Sequence, residues 1–363
     1  MLAARHGHQG VVETLIGAGA GLDEKIKSAW PIKGGFTALM LAAKHGHQGV
    51  VETLVSSGAS LEEEISLGKG RNGEEEEVCR ADTDAGMTAL MLAASHGDAD
   101  VVKALVDGGA NVEAKHRKGR TALMYAASHG HADVTRVLIS SGASADVEVS
   151  FEGARSNDFD LGMTALMFAA HNGHMDVVDV LLRSIGGDDK KKKKKKKKIG
   201  TVLKKRTKDG YSALMLAARK GHTELVRALI SQGAMVDANS DEGMTALMLA
   251  ASYGYVDTAL ALLDCGACLE KRVANDAGCK AGYTALMYAS SHLHAGVVRA
   301  LLSRGAKVDV QDESGYTATA LTLAEDNARY YADAVTAEVV DILKNAQRRE
   351  RENSSSSATS MSE

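Results

Sequence analysis

The chain of 363 residues contains one proline, Pro31, and one tryptophan, and aromatic residues make up 4% of it. A large central core is usually built around bulky side chains, so this scarcity argues against one. The 37 glycines and the frequent alanines suit short helices in close contact. Four cysteines, Cys79, Cys265, Cys268 and Cys279, are too few and too clustered for a disulfide framework, which points to a reducing intracellular compartment. No apolar run approaches the ~20 residues needed to cross a bilayer. The opening Met1-Leu2-Ala3-Ala4-Arg5-His6-Gly7-His8 lacks the charged start and apolar middle of a signal peptide. Catalytic patterns are also missing. There is no phosphate-binding Gly-x-x-x-x-Gly-Lys-Ser/Thr, no kinase set and no Gly-x-Ser-x-Gly elbow, so neither enzyme activity nor a cofactor is expected.

What is present is a repeat. Thr-Ala-Leu-Met begins at Thr37, Thr88, Thr121, Thr164, Thr245 and Thr284, with Ser-Ala-Leu-Met at Ser212 and a divergent start at Thr317. The spacings are 51, 33, 43, 48, 33, 39 and 33, a base period of 33 with insertions of 18, 10, 15 and 6. One unit shows the mechanics. Thr37 can cap a helix that Ala38 begins, and Leu39, Ala42 and Ala43 give it one apolar face. Gly46, between His45 and His47, suits a left-handed helix end. A second helix follows through the pairs Val50/Leu54 and Val51/Val55 and stops at Gly58. Helices this short do not persist alone in water, so neighbouring units must bury their faces.

These residues resemble the ankyrin repeat, a 33-residue unit with a Thr-Pro-Leu-His-x-Ala opening and a Gly-His turn. The Ala-Leu-Met variant is similar to that of ankyrin-rich proteins of single-celled eukaryotes. The resemblance implies an all-α solenoid of paired antiparallel short helices linked by hairpin loops, over residues 1–345. Its units start near 1, 35, 86, 119, 162, 210, 243, 282 and 315. Here the family's proline is alanine, and its histidine is methionine in nearly every unit, which loses the histidine's hydrogen bonds. Met1 aligns with Met40, so the first unit begins inside its first helix, where fraying is expected and upstream sequence is permitted. The last unit replaces the Gly-His turn with Glu325-Asp326-Asn327-Ala328-Arg329 and reads as a polar cap. Residues 346–363, with the serines Ser354–Ser357, read as a disordered tail.

Several residue patterns invite functional readings. Twelve of the thirteen histidines lie in or beside the inter-helix turns, His116 being the exception, and this periodicity points to a turn role, not to a metal site. Cys265-Gly266-Ala267-Cys268 looks like half a zinc site, but its cysteines align with Ser57 and Ser60, and no metal is expected. The stripe Met40, Met91, Met124, Met167, Met215, Met248 and Met287 reads as packing between units.

The residue before each opening Thr or Ser reads Phe36, Met87, Arg120, Met163, Tyr211, Met244, Tyr283 and Tyr316. In the family, hairpin tips and first helices form a concave face that grips partners. This ladder is therefore either partner-binding or packed on the next hairpin. Two insertions carry opposite charge. Residues 61–86 hold Glu62–Glu64 and Glu74–Glu77. Residues 184–209 hold the run Lys190 to Lys198, with Lys194 at its centre, then Lys204, Lys205, Arg206 and Lys208. Both are expected to be disordered hairpin fingers. The lysine finger is a solvated expansion, a nuclear-import signal, or an electrostatic arm for nucleic acid or anionic lipid. The leading expectation is an intracellular, cytoplasmic, monomeric scaffold that binds a partner protein of unknown identity. The alternatives are electrostatic binding through the lysines, which also open a nuclear location, and the regulatory array of a larger kinase-like protein.

Overall fold

A computed structural model describes residues 1–26, 35–65, 86–150, 160–186, 192–273, 281–312, 318–330 and 334–359. Glu74–Glu77, Cys79, Lys190, Cys279 and Tyr316 lie outside them. Among the described residues every regular element is helical. The chain forms two compact units, Met1–Lys190 and Lys191–Glu363.

The first unit holds α1 (Leu2–Arg5), α2 (Gln9–Gly17), α3 (Ala38–Lys44), α4 (Gln48–Ser56) and α5 (Ala89–His96). It continues with α6 (Ala99–Asp107), α7 (Ala122–His129), α8 (Ala132–Ser140), α9 (Ala165–Asn172) and α10 (Met175–Gly186). First helices stack on first helices, from α1 through α3, α5 and α7 to α9, and second helices stack likewise from α2 to α10. The second unit holds α11 (Lys192–Leu203), α12 (Ala213–Arg219), α13 (Thr223–Ser231), α14 (Ala246–Ser252) and α15 (Val256–Asp264). It ends with α16 (Ala285–Ser291), α17 (Ala295–Ser303), α18 (Ala320–Tyr330) and α19 (Ala334–Thr359). Here too α12, α14, α16 and α18 form one row and α13, α15, α17 and α19 the other.

Local chemistry sets each helix pair. The opening hydroxyls of Thr37, Thr88, Thr164, Ser212, Thr245 and Thr284 accept from the methionine N–H three residues on, at 3.3–3.4 Å. At Thr37, Ser212 and Thr245 the methionine sulfur accepts the cap's own N–H at 3.4–3.5 Å. The thioether thus takes over, weakly, the reciprocal half of a capping box. Every methionine of the stripe is 1% exposed, as packing between units requires.

Most turns between the paired helices are closed by a left-handed glycine, and Leu293 stands at that place with φ +59°, the one non-glycine residue of positive φ among the described residues. A leucine there carries a strain of about 1 kcal/mol. Leu293→Gly is expected to raise the melting temperature by about 2–4 °C, the shift for a unit of this size. Calorimetry checks it, and a clear drop would mean that the leucine side chain contributes more than the strain removes.

Successive units are joined by a recurring neck. The residue at its near side donates its N–H to the ladder carbonyl: Ile26 to Phe36, Ile65 to Met87, His116 to Arg120, Val149 to Met163, Thr207 to Tyr211, Ser240 to Met244 and Val273 to Tyr283, at 2.7–3.1 Å. In tight hairpins the near residue is polar and its side chain accepts a backbone N–H: Lys118 on His116 at 3.2 Å, Tyr211 on Thr207 at 3.1 Å, Met244 on Ser240 at 3.2 Å. Where residues are inserted beyond the neck it is Ile or Val, with Ile65, Val149 and Val273 buried. A long loop has no short turn to satisfy, so the position is free to pack.

Two segments expected to be disordered are helical where the structure describes them. Over residues 192–203 the lysine segment is α11. The segment precedes a tight neck at Thr207–Tyr211 and does not lengthen one. Its anchor is Ile199, Val202 and Leu203, at i, i+3 and i+4, all buried. Likewise the tail is helical through 346–359 as the end of α19. Val339 and Leu343 bury its first half. Beyond them, Gln347 donates to Asp309 at 2.6 Å and the Val308 N–H donates to Glu350 at 3.4 Å, tying the helix to the last hairpin.

Candidate interaction surfaces

The neck decides the fate of the ladder. Each described ladder residue has its carbonyl engaged in the neck. Phe36, Met87, Met163, Tyr211, Met244 and Tyr283 are no more than 8% exposed. The ladder therefore packs the array and leaves almost no side-chain surface for a partner. Alanine at Tyr211, Met244 and Tyr283 would therefore remove core volume. Arg120 is the exception. Its guanidinium lies 4.6 Å from the Phe168 ring and 5.8 Å from the Tyr125 ring, and it is ion-paired with Asp160 of the next hairpin. The group is a half-buried stitch between neighbouring repeats, with Nε buried and unbonded.

The turn histidines repeat a structural role. The second histidine of a turn donates from Nε2 to a carbonyl of the preceding repeat: His47 to Arg5 at 2.8 Å, and His131 to Ser95, His174 to Ser128 and His294 to Ser252 at 3.0 Å. The first, at His96, His129 and His292, binds through Nδ1 the carbonyl four residues back, at 2.9 Å. Asn327 of the divergent last repeat replaces the donor, reaching the Ser291 carbonyl at 2.8 Å. No group of three or more His, Cys, Asp or Glu is gathered among the described residues. Cys265 and Cys268 do as their serine equivalents do: Cys265 ends α15 as Ser57 ends α4. The Cys268 N–H binds Asp237 at 2.9 Å as the Ser60 N–H binds Asp23 at 2.8 Å.

These imidazoles make the fold sensitive to acid. Burial away from water pushes His294 below its ordinary value, against the raising effect of its bond to Ser252, and the charge of His292 lowers it further. His45 is also lowered, first by desolvation and then by Arg5, His47, Lys44 and His96. The folded chain thus prefers their neutral forms, whereas the unfolded chain takes up protons near pH ~6.5. Their contribution to stability is present above that value and is lost as the pH falls from it through the lower folded values. The melting temperature is expected to be lower at pH 5.5 than at pH 7.5, and His294→Gln to narrow the difference. A flat profile would contradict this account.

A carboxylate ladder escaped the sequence reading. Besides the Asp23 contact, the Asn111 N–H donates to Glu62 at 2.8 Å and the Ser144 N–H to Glu113 at 2.6 Å in the first unit. In the second unit the Lys307 N–H donates to Glu270 at 2.9 Å. An acid four residues after each Gly-Ala glycine was the available signal. Asp309 would offer the same bond to a further repeat, and Gln347 of α19 takes it instead.

What remains outward is the end of each first helix. In the first unit the pairs are Lys44-His45, Ser95-His96, Ser128-His129 and His171-Asn172, half-buried then exposed; in the second they are Arg219-Lys220, Ser252-Tyr253 and Ser291-His292. Tyr253 is 45% exposed. Of the lysine-segment residues, Lys198, Lys204, Arg206 and Lys208 are exposed and Lys205 is half-buried, while Lys194 lies on the backbone of α11.

The family model described as ankyrin repeats (3 copies) matches residues 1–65, 69–150, 196–273 and 241–312, and the single ankyrin-repeat model matches 161–192. The chain belongs to the ankyrin-repeat family. Among solved structures, the human ASB11 ankyrin repeat domain matches with a TM-score of 0.53 at 22% identity, over 70% of this chain and 96% of that one. The likeness is one of fold. A comparison with curated proteins gave no match. Among the described residues no helix is long and apolar enough to cross a membrane.

Proposed function

We propose that the chain is a non-catalytic, monomeric intracellular scaffold that binds a partner protein through its hairpin tips and the outward ends of its first helices. One observation supports this reading: the second member of each outward pair is exposed, whereas the alanines before it are buried. Ala42-Ala43, Ala93-Ala94, Ala126-Ala127 and Ala169-Ala170 are invariant within the first unit and fully buried. Directly after them the sequence changes to Lys44-His45, Ser95-His96, Ser128-His129 and His171-Asn172. Packing accounts for the alanines, while the exposed side chains that follow, His96 and His129 bonded only to their own helix, offer surface for recognition. A row of side chains held on rigid helix ends also loses little freedom on binding.

Crosslinking with mass spectrometry from native lysate names the partner and the surface it touches. Alanine at His45, His96, His129 and Asn172 together is expected to weaken that partner at least tenfold with helical content retained. Unchanged affinity, or crosslinks confined to residues 334–359, would overturn the proposed surface.

A further inference from the structure

Residues 192–220 hold thirteen lysines and arginines against one acid, Asp209. The sequence alone shows no aromatic residue among the lysines, hence no platform on which a base could stack. The fold of the second unit supplies one. The Arg219 guanidinium lies 5.7 Å from the Tyr211 ring and 5.6 Å from the Tyr253 ring, and Nε donates to the Tyr253 hydroxyl at 3.1 Å. Tyr253 is itself stacked on Tyr255, centroids 6.5 Å apart and planes 15° from parallel. Four planar groups, Tyr255, Tyr253, Arg219 and Tyr211, thus follow one another across two successive repeats, with Tyr253 the most open. The neck that holds Tyr211 carries Lys208 at its tip, and Lys204, Lys205 and Arg206 lead into it from α11.

We infer that this face of the second unit binds single-stranded nucleic acid, with the α11–neck lysines neutralising phosphates and the Tyr253–Arg219 stack receiving a base. Three features favour that ligand. The lysine run carries dense positive charge in sequence, with no acid in the first turn of α11 to offset it, so a polyanion is the complementary ligand. Its apolar residues Ile199, Val202 and Leu203 are buried, which leaves none to enter a bilayer. A tyrosine backed by a guanidinium is a π-face that accepts any base.

Fluorescence anisotropy of the full chain with a labelled 20-nucleotide oligouridine tests this. Binding is expected to weaken on the order of fiftyfold between 50 and 200 mM salt, the response to four or five phosphate contacts on a single strand. Glutamine at Lys204, Lys205, Arg206 and Lys208 together is expected to flatten that dependence. Tyr253→Ala is expected to weaken binding about tenfold, and Tyr253→Phe, which keeps the ring, to leave it near the parent value. Melting curves verify that each variant is folded. No binding at 50 mM salt overturns the inference. So does equal affinity for a duplex of the same length or for vesicles rich in phosphatidylserine, or indifference to Tyr253→Ala, since each would describe a purely electrostatic arm.

Discussion

Gly97→Ala is expected to destabilise the first unit by about 2–4 kcal/mol. Two effects combine. Gly97 ends α5 at φ +92°, where a side chain carries a strain of about 1 kcal/mol. A methyl group built there would also lie 2.5 Å from Nδ1 of His131, in the next repeat. The imidazole must move, and its bond to the Ser95 carbonyl is lost with it. Glycine is required at this turn as much by the approach of the neighbouring repeat as by its own backbone. A double-mutant cycle separates the two. In a His131→Ala background the added cost of Gly97→Ala is expected to shrink to about 1 kcal/mol, the backbone part alone. Equal costs in both backgrounds, measured by urea unfolding, would show that the contact is not limiting.

The same pairing explains why Leu293 survives. Gly7, Gly46, Gly97, Gly130, Gly221 and Gly254 face an aromatic ring or a carboxylate of the following repeat, but at the equivalent place after Leu293 stands Asn327, which reaches the Ser291 carbonyl. With the approach relaxed, only the backbone strain remains. This unit tolerates what Gly97 would not.

Features that depend on residues near in sequence were legible without coordinates. The cap at Thr37, the helix end at Gly46 and the left-handed place of Leu293 follow from side-chain size and hydrogen bonding within one turn. The period of 33 then sets which faces meet. The ladder was not settled, because the side chain's direction depends on a neck bond whose partner is as few as four residues away, at His116–Arg120, or as many as 22, at Ile65–Met87. Nor was α11, since the charge of nine lysines outweighed the three apolar residues Ile199, Val202 and Leu203, which are buried. The end of α19 was hidden for a similar reason. Gln347 and Glu350 look like parts of a polar tail until Asp309 and the Val308 N–H are seen opposite them. The Tyr211–Arg219–Tyr253 stack joins consecutive repeats through residues that each look ordinary in their own repeat.

Leu138→Ala is expected to cost about 3 kcal/mol and to spread its damage along the row. Leu138 is fully buried in α8, a helix that packs on α6, α7 and α10. Removing most of a buried leucine leaves a cavity that short helices cannot easily close, a loss within the range of about 2–5 kcal/mol. In a central core such a loss would be shared by the whole fold. Here each helix touches only its neighbours, so stability is close to a sum of intrinsic and nearest-neighbour terms. Hydrogen exchange is therefore expected to show faster opening of amides in α6 to α10, while those of α14 to α17 in the second unit keep the protection of the parent protein. Equal loss of protection in all nineteen helices of the described residues would mean that the chain unfolds as one body, and the description of short helices sustained by adjacent repeats would have to be given up.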